Sequence, residues 1–163
     1  MRTFVLVVFV ALDAFAAEEE QCNLPPAAVT SQFDAKKLPK GAKLTGARST
    51  DRTWREVLRF ADGLEVMVQA GGCKHLGVTI EVRSKKLVSA GMTPTEGVAV
   101  MTKVLGLLPL KQGTLLKPLM DGLATLKTPP ASFPVALDCQ VTVCELALLE
   151  DSPALMLWSQ VAL

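Results

Sequence analysis

Asp62-Gly63 stands between two runs of alternating residues, and no other feature restricts the fold of this chain as strongly. On the N-terminal side Trp54, Glu56, Leu58 and Phe60 alternate with Arg55, Val57 and Arg59, and on the C-terminal side Leu64, Val66 and Val68 continue at period two. Asp-Gly between such runs is the strongest short-range hairpin signal, because a two-residue type I′ turn needs positive φ at both positions. The segment from Arg52 to Val68 is therefore expected to be an antiparallel hairpin. After Gly71-Gly72-Cys73, Val78, Ile80 and Val82 alternate within Gly77–Arg83 and predict a third strand of a meander. Arg83, Lys85 and Lys86 should lie at its solvent end.

Helical signals follow. Thr93-Pro94-Thr95-Glu96 supplies a capping threonine, a proline for the first helical position and a glutamate three residues after the cap. Val98, Met101, Leu105 and Leu108 then recur at helical spacing, and Pro109 ends the run. A second helix is expected to restart at Gly113-Thr114, to carry Leu116, Leu119, Met120, Leu123 and Leu126, and to end at Pro129-Pro130. Three segments rich in β-formers come last, Val135–Cys139, Val141–Leu149 and Ala154–Val161, the final two separated by Asp151-Ser152-Pro153. The order βββ-αα-βββ, with short turns between neighbouring strands, predicts an α+β fold: an antiparallel sheet in two three-strand blocks with a helical pair on one face.

The N-terminus points outside the cytosol. Arg2, the apolar run Phe4–Leu12 and the small residues of Ala14-Phe15-Ala16 have the three parts of a cleavable secretory signal covering residues 1–16. The run is about half the roughly 20 apolar residues that a membrane-spanning helix needs, and the later stretch Gly97–Leu110 is interrupted by Lys103. No transmembrane segment is expected in the remainder. Residues 17–51, rich in Pro, Lys, Gly and Ser, read as an extended arm, and residues 52–163 as a single domain. Periplasmic or secreted localisation, with a bacterial envelope favoured, is the expectation.

Export changes what the four cysteines mean. Cys22, Cys73, Cys139 and Cys144 form an even set, and in an oxidising compartment thiols pair. Cys139 with Cys144 would close a tight hairpin, leaving Cys22 to tie the arm to Cys73. Zinc is not expected, because the paired short spacings of structural sites are absent.

Evidence for chemistry is sparse. Cys73-Lys74-His75 places the single histidine on the same strand face as a cysteine, the geometry of a thiol nucleophile and its base. An exported cysteine is more commonly half of a disulfide, so a thiol-dependent enzyme using Cys73 and His75 ranks last. Glu145, Glu150 and Asp151 read as solvated residues at a strand end and turn, not as a carboxylate pair for glycoside chemistry. No cofactor, metal or catalytic residue is predicted.

The net charge of +1 argues against nucleic acid as a partner. Locally the charge is uneven. Between Asp34 and Arg59 eight basic residues outnumber three acidic ones, and Lys36, Lys37, Lys40, Lys43, Arg48 and Arg52, with His75, are the candidate binding residues. Trp54 and Trp158 are read as core aromatics rather than the walls of a ligand groove. A non-catalytic binding or inhibitory protein of the immunity type, acting on an envelope or extracellular protein, is the leading expectation. An accessory envelope protein docking through the basic arm is the alternative.

Overall fold

The computed structural model describes residues 30–50, 52–72, 75–128, 131–139, 143–149 and 154–162. Among them seven strands and two helices follow in the order β1 (Lys43–Thr50), β2 (Thr53–Arg59), β3 (Glu65–Gly72), β4 (His75–Arg83), α1 (Pro94–Leu107), α2 (Lys117–Thr125), β5 (Val135–Ala136), β6 (Val143–Leu149) and β7 (Ala154–Ala162). All seven strands join one sheet in the order β1-β2-β3-β4-β7-β6-β5, and every pairing is antiparallel. The fold is α+β.

The β2–β3 hairpin forms, with Arg59 opposite Glu65 and Val57 opposite Met67. Its connection is not the two-residue turn expected from Asp-Gly. Gly63 N–H donates to Phe60 O (3.2 Å) and Phe60 N–H donates to Leu64 O (2.8 Å), which closes a three-residue loop Ala61-Asp62-Gly63. Gly63 takes φ +87°, the left-handed position of a type I turn followed by a bulge, and Asp62 Oδ1 accepts from Leu64 N–H at 3.1 Å. The register therefore places Glu56, Leu58, Val66 and Val68 together on the buried side.

The strand blocks hold four and three members rather than three and three. The added strand, β1, lies inside the stretch read from sequence as an irregular arm. Lys43, Thr45, Ala47, Arg48, Ser49 and Thr50 give it no apolar alternation to detect. It is a strand because it completes the free edge of β2, and a charged edge strand exposes little that another chain would pair with. At the other end the predicted strand Val135–Cys139 shortens to β5, two residues paired with Leu146 and Glu145 of β6.

The helix signals resolve as expected at α1. Thr93 Oγ1 accepts from Glu96 N–H (3.3 Å) while Glu96 Oε2 accepts from Thr93 N–H (2.8 Å), a reciprocal capping box, with Pro94 in the first turn. The second helix starts four residues later than Gly113, because residues 111–116 are held in turns before Lys117. Buried residues of both helices, Met101, Val104 and Leu105 from α1 and Leu119 and Leu123 from α2, join one apolar cluster with Leu58, Val66, Val68, Val78, Ile80, Val82, Leu146, Leu155 and Leu157 of the sheet.

Cys139 and Cys144 form a disulfide across the β5–β6 connection, with Leu137 N–H donating to Cys144 O (2.9 Å) beside it. Closing so short a loop is worth about 2 kcal/mol in the chain-entropy model. Gly122 of α2 packs on this bridge, so closely that a Cβ there would overlap Cys139 Sγ. Cys22 and Cys73 lie outside the described residues.

The segment before β1 is also part of the body. Phe33 is fully buried and bridges to Leu110, Asp34 N–H donates to Pro109 O (2.6 Å), and Lys111 N–H donates to Gln32 O (2.9 Å). Glu56, buried on β2, accepts from Gln32 N–H and Ser31 Oγ, both at 2.6 Å. Gln32 Oε1 in turn accepts from Leu115 N–H (2.9 Å) and Thr114 Oγ1 (3.1 Å). Glu56 thereby ties the arm to the sheet, and Gln32 ties the arm to the turn before α2.

Candidate functional site

The basic residues proposed from sequence do not converge on one patch. Lys36 and Lys37 lie exposed on a 3-10 turn, Ala35–Lys37, where Lys37 pairs with Asp34 at 3.5 Å. Lys40 is exposed before β1, and Lys43 begins β1 opposite Arg59. Arg48 stands opposite Trp54 and Arg52 follows in the β1–β2 turn, at the other end of the sheet from Lys43. Five residues of extended strand put Lys43 and Arg48 about 16 Å apart. His75 opens β4 at the Arg52 end and is exposed, while Cys73 is outside the described residues.

The two tryptophans occupy opposite faces. Trp54 is on the same side as Glu56 and Leu58, and its buried indole N–H has no hydrogen-bond partner among the described residues. Trp158 is on the outward side of β7, opposite Thr79 and Glu145, so it is not a core residue and the pair cannot wall one groove. Glu145 also moves: it sits in the middle of β6 rather than at a strand end, while Glu150 and Asp151 are outside the described residues.

What the register does assemble is an outward face that the helices do not cover. Val57, Met67, Glu81, Met156 and Ala147 form one row across β2, β3, β4, β7 and β6. Arg55, Gln69, Thr79, Trp158 and Glu145 form the next row on the same strands. The buried core residues of these strands alternate with these positions, and of the outward set only Glu81 is itself buried. A one-sided antiparallel sheet ordinarily puts polar residues on its outer face. Here Val57, Met67, Met156 and Trp158 are large, apolar and only partly buried.

Glu81 stands at the centre of the first row, with Val57 and Met67 on one side of it and Met156 on the other. Arg59 pairs with Glu65 (2.6 Å), and Arg83 pairs with Glu81, whose side chain is 10% exposed. Arg55 and Glu145 stand at opposite ends of their row and have no ion-pair partner among the described residues; Arg55 Nε lies 2.9 Å from Met67 Sδ. A shallow depression of about 230 Å³ borders Arg55 and Val57 on the β1 side. The surface suits non-covalent contact with an apolar surface carrying an acid and a base. Among the described residues no group of three His, Cys, Asp or Glu side chains is placed to hold a metal ion. No helix among them is long and apolar enough to cross a membrane.

Sequence periodicity carries a partial signal for this face. Apolar Met67, Met156 and Trp158 at outward positions are visible as breaks in polar alternation, but their placement on either side of β4 needs β4 to pair with β7, which are more than 70 residues apart. No protein-family model, curated protein or solved structure matches the chain.

Proposed function

We propose that this protein is an exported, non-catalytic binding protein of the inhibitory or immunity type, and that it engages its partner through the helix-free face of its sheet. The observation that carries the proposal is the set of partly buried apolar residues Val57 and Met67 on one side of Glu81 and Met156 and Trp158 on the other, on a face where polar residues are the ordinary choice. It is set between Arg55 and Glu145, charges with no ion-pair partner among the described residues. Methionine and aromatic side chains are enriched at binding surfaces relative to the rest of a protein's exterior. Export is supported by the N-terminal run of residues 1–16 and by the Cys139–Cys144 disulfide, a bond that persists in oxidising compartments. Docking through the basic arm is less well supported, because Lys36, Lys37, Lys40 and Lys43 are separated from Arg48 and Arg52 by the length of β1.

A photo-crosslinking residue placed at Met67, compared with one at the exposed Lys103 of α1, tests the assignment of the face. Irradiation in envelope preparations is expected to give a discrete adduct from position 67 and none from position 103. Equal labelling from both positions, or no adduct from position 67, would overturn it.

A further inference from the structure

Two rows of the helix-free face are complementary to themselves. The seven strands are ordered β1-β2-β3-β4-β7-β6-β5, so β4 is the central strand. A two-fold axis lying along β4 exchanges β2 with β6 and β3 with β7. Applied to the cross-strand rows, that operation sets Arg55 of one copy over Glu145 of the other, twice per pair of copies. Among the five central strands these are the two outward charges that lack ion-pair partners among the described residues. In the next row it sets Met67 over Met156 and the larger Val57 over the smaller Ala147. On the axis Glu81 faces Glu81 and Arg83 faces Arg83, like over like, and each acid is neutralised by the base of its own copy.

We propose that two copies of this chain pack face to face about a two-fold axis along β4, forming a four-layer dimer with the two sheets inside. This rests on the assignment of the helix-free face as the binding surface and names its occupant as a second copy. The geometry is that of ordinary aligned sheet packing, with sheets about 10 Å apart and strands inclined by about 30°. Arg55 and Glu145 lie two strand spacings, about 10 Å, from the axis, and both side chains are long enough to meet across the layer. Five central strands of about eight residues present roughly 600 Å² per copy, so the pair buries about 1,200 Å², at the lower bound of stable interfaces. An isologous interface requires each contact to occur twice, and the Arg55–Glu145 arrangement satisfies that requirement.

Charge reversal tests the proposal. Arg55→Glu faces Glu145 with a second acid in both symmetric contacts, and Glu145→Arg faces Arg55 with a second base; each variant is expected to raise the dimer Kd about 100-fold. Mixed one to one, the two variants restore an acid–base contact, because the acid placed at position 55 of one meets the base placed at position 145 of the other. The second symmetric contact in that mixed pair is the native Arg55–Glu145 combination, so both positions are complementary. Sedimentation at about 100 μM, where a dimer with Kd near 10 μM is largely formed, should show a dimer for the unaltered protein, monomers for each variant and a dimer for the mixture. Far-UV circular dichroism confirms that each variant is folded, and the mixture rescues only variants that are. A monomeric unaltered protein, dimeric single variants or a monomeric mixture of folded variants would each overturn the proposal. The crosslink at position 67 distinguishes failure of the dimer from failure of the binding face. An adduct of twice the chain mass supports the dimer. An adduct of another mass from a monomeric protein leaves the face a binding surface and refutes the second copy, and no adduct refutes both.

Discussion

Replacing Glu56 with alanine should cost about 4 kcal/mol of folding stability, more than any single apolar truncation at the rim of the core. The side chain is buried on β2, and both its oxygens accept hydrogen bonds at 2.6 Å, one from Gln32 N–H and one from Ser31 Oγ. A hydrogen bond to a charged group contributes about 1.5–3 kcal/mol, and a buried donor left unpaired costs about 1–3 kcal/mol. Alanine removes both acceptors and strands the buried Gln32 amide, while Ser31 Oγ keeps its longer contact with Phe33 O (3.2 Å). For a chain of this size, about 4 kcal/mol corresponds to a fall in Tm of about 8–16 °C. Glu56→Gln, which retains one acceptor for Gln32 N–H, should lose about half as much. Urea denaturation gives the free energies, and hydrogen exchange at the Gln32 amide reports the local tie. A loss below about 1 kcal/mol for Glu56→Ala would refute the assignment of this acid as the anchor of the arm, because an exposed or replaceable acceptor costs no more than that.

Glycine-to-alanine substitutions in the helices should differ in sign: Gly106 has open space around a Cβ and should gain up to about 1 kcal/mol, whereas Gly122→Ala should destabilise by about 1–2 kcal/mol against Cys139 Sγ. Thermal melts of both variants check this, and equal stabilisation would show that α2 does not rest on the disulfide. Glu96 is held below the ordinary glutamate range, chiefly by the hydrogen bond from Thr93 N–H and then by that from the Thr93 hydroxyl. Because its folded-state pKa is depressed, its contribution is present above the unfolded-state value and is lost as pH falls through the folded-state value. Urea midpoints of the unaltered protein and Glu96→Ala should therefore differ at neutral pH and converge in acid, and a gap independent of pH would contradict the capping box.

Local signals were sufficient wherever a short stretch of chain carries its own geometry. Thr93-Pro94-Thr95-Glu96 specifies the start of α1 because cap and glutamate satisfy each other within one turn. Cys139 and Cys144 are five residues apart in sequence, near enough to pair without any long-range contact. The period-two runs around Asp62-Gly63 set the β2–β3 register and its buried side, although the turn chose the three-residue loop. In contrast β1 carries no apolar alternation, and the strand exists because β2 has an unpaired edge. The same holds for Trp158, which sequence assigns to the core by its size; its position two residues from Met156 on an outward row follows from the pairing of β7 with β4 and β6.

The antiparallel hairpin, the capped helix and the local disulfide are legible in the chain alone, because each is decided by residues close to one another along it. That β4 is the centre of a seven-stranded sheet, and that Arg55, Met67, Met156, Trp158 and Glu145 share one face, follows from long-range strand pairing. Pairing strands far apart in the chain has a loop-closure cost and a register that no local pattern encodes, so that face comes into being only when the core chooses which side of every strand to bury.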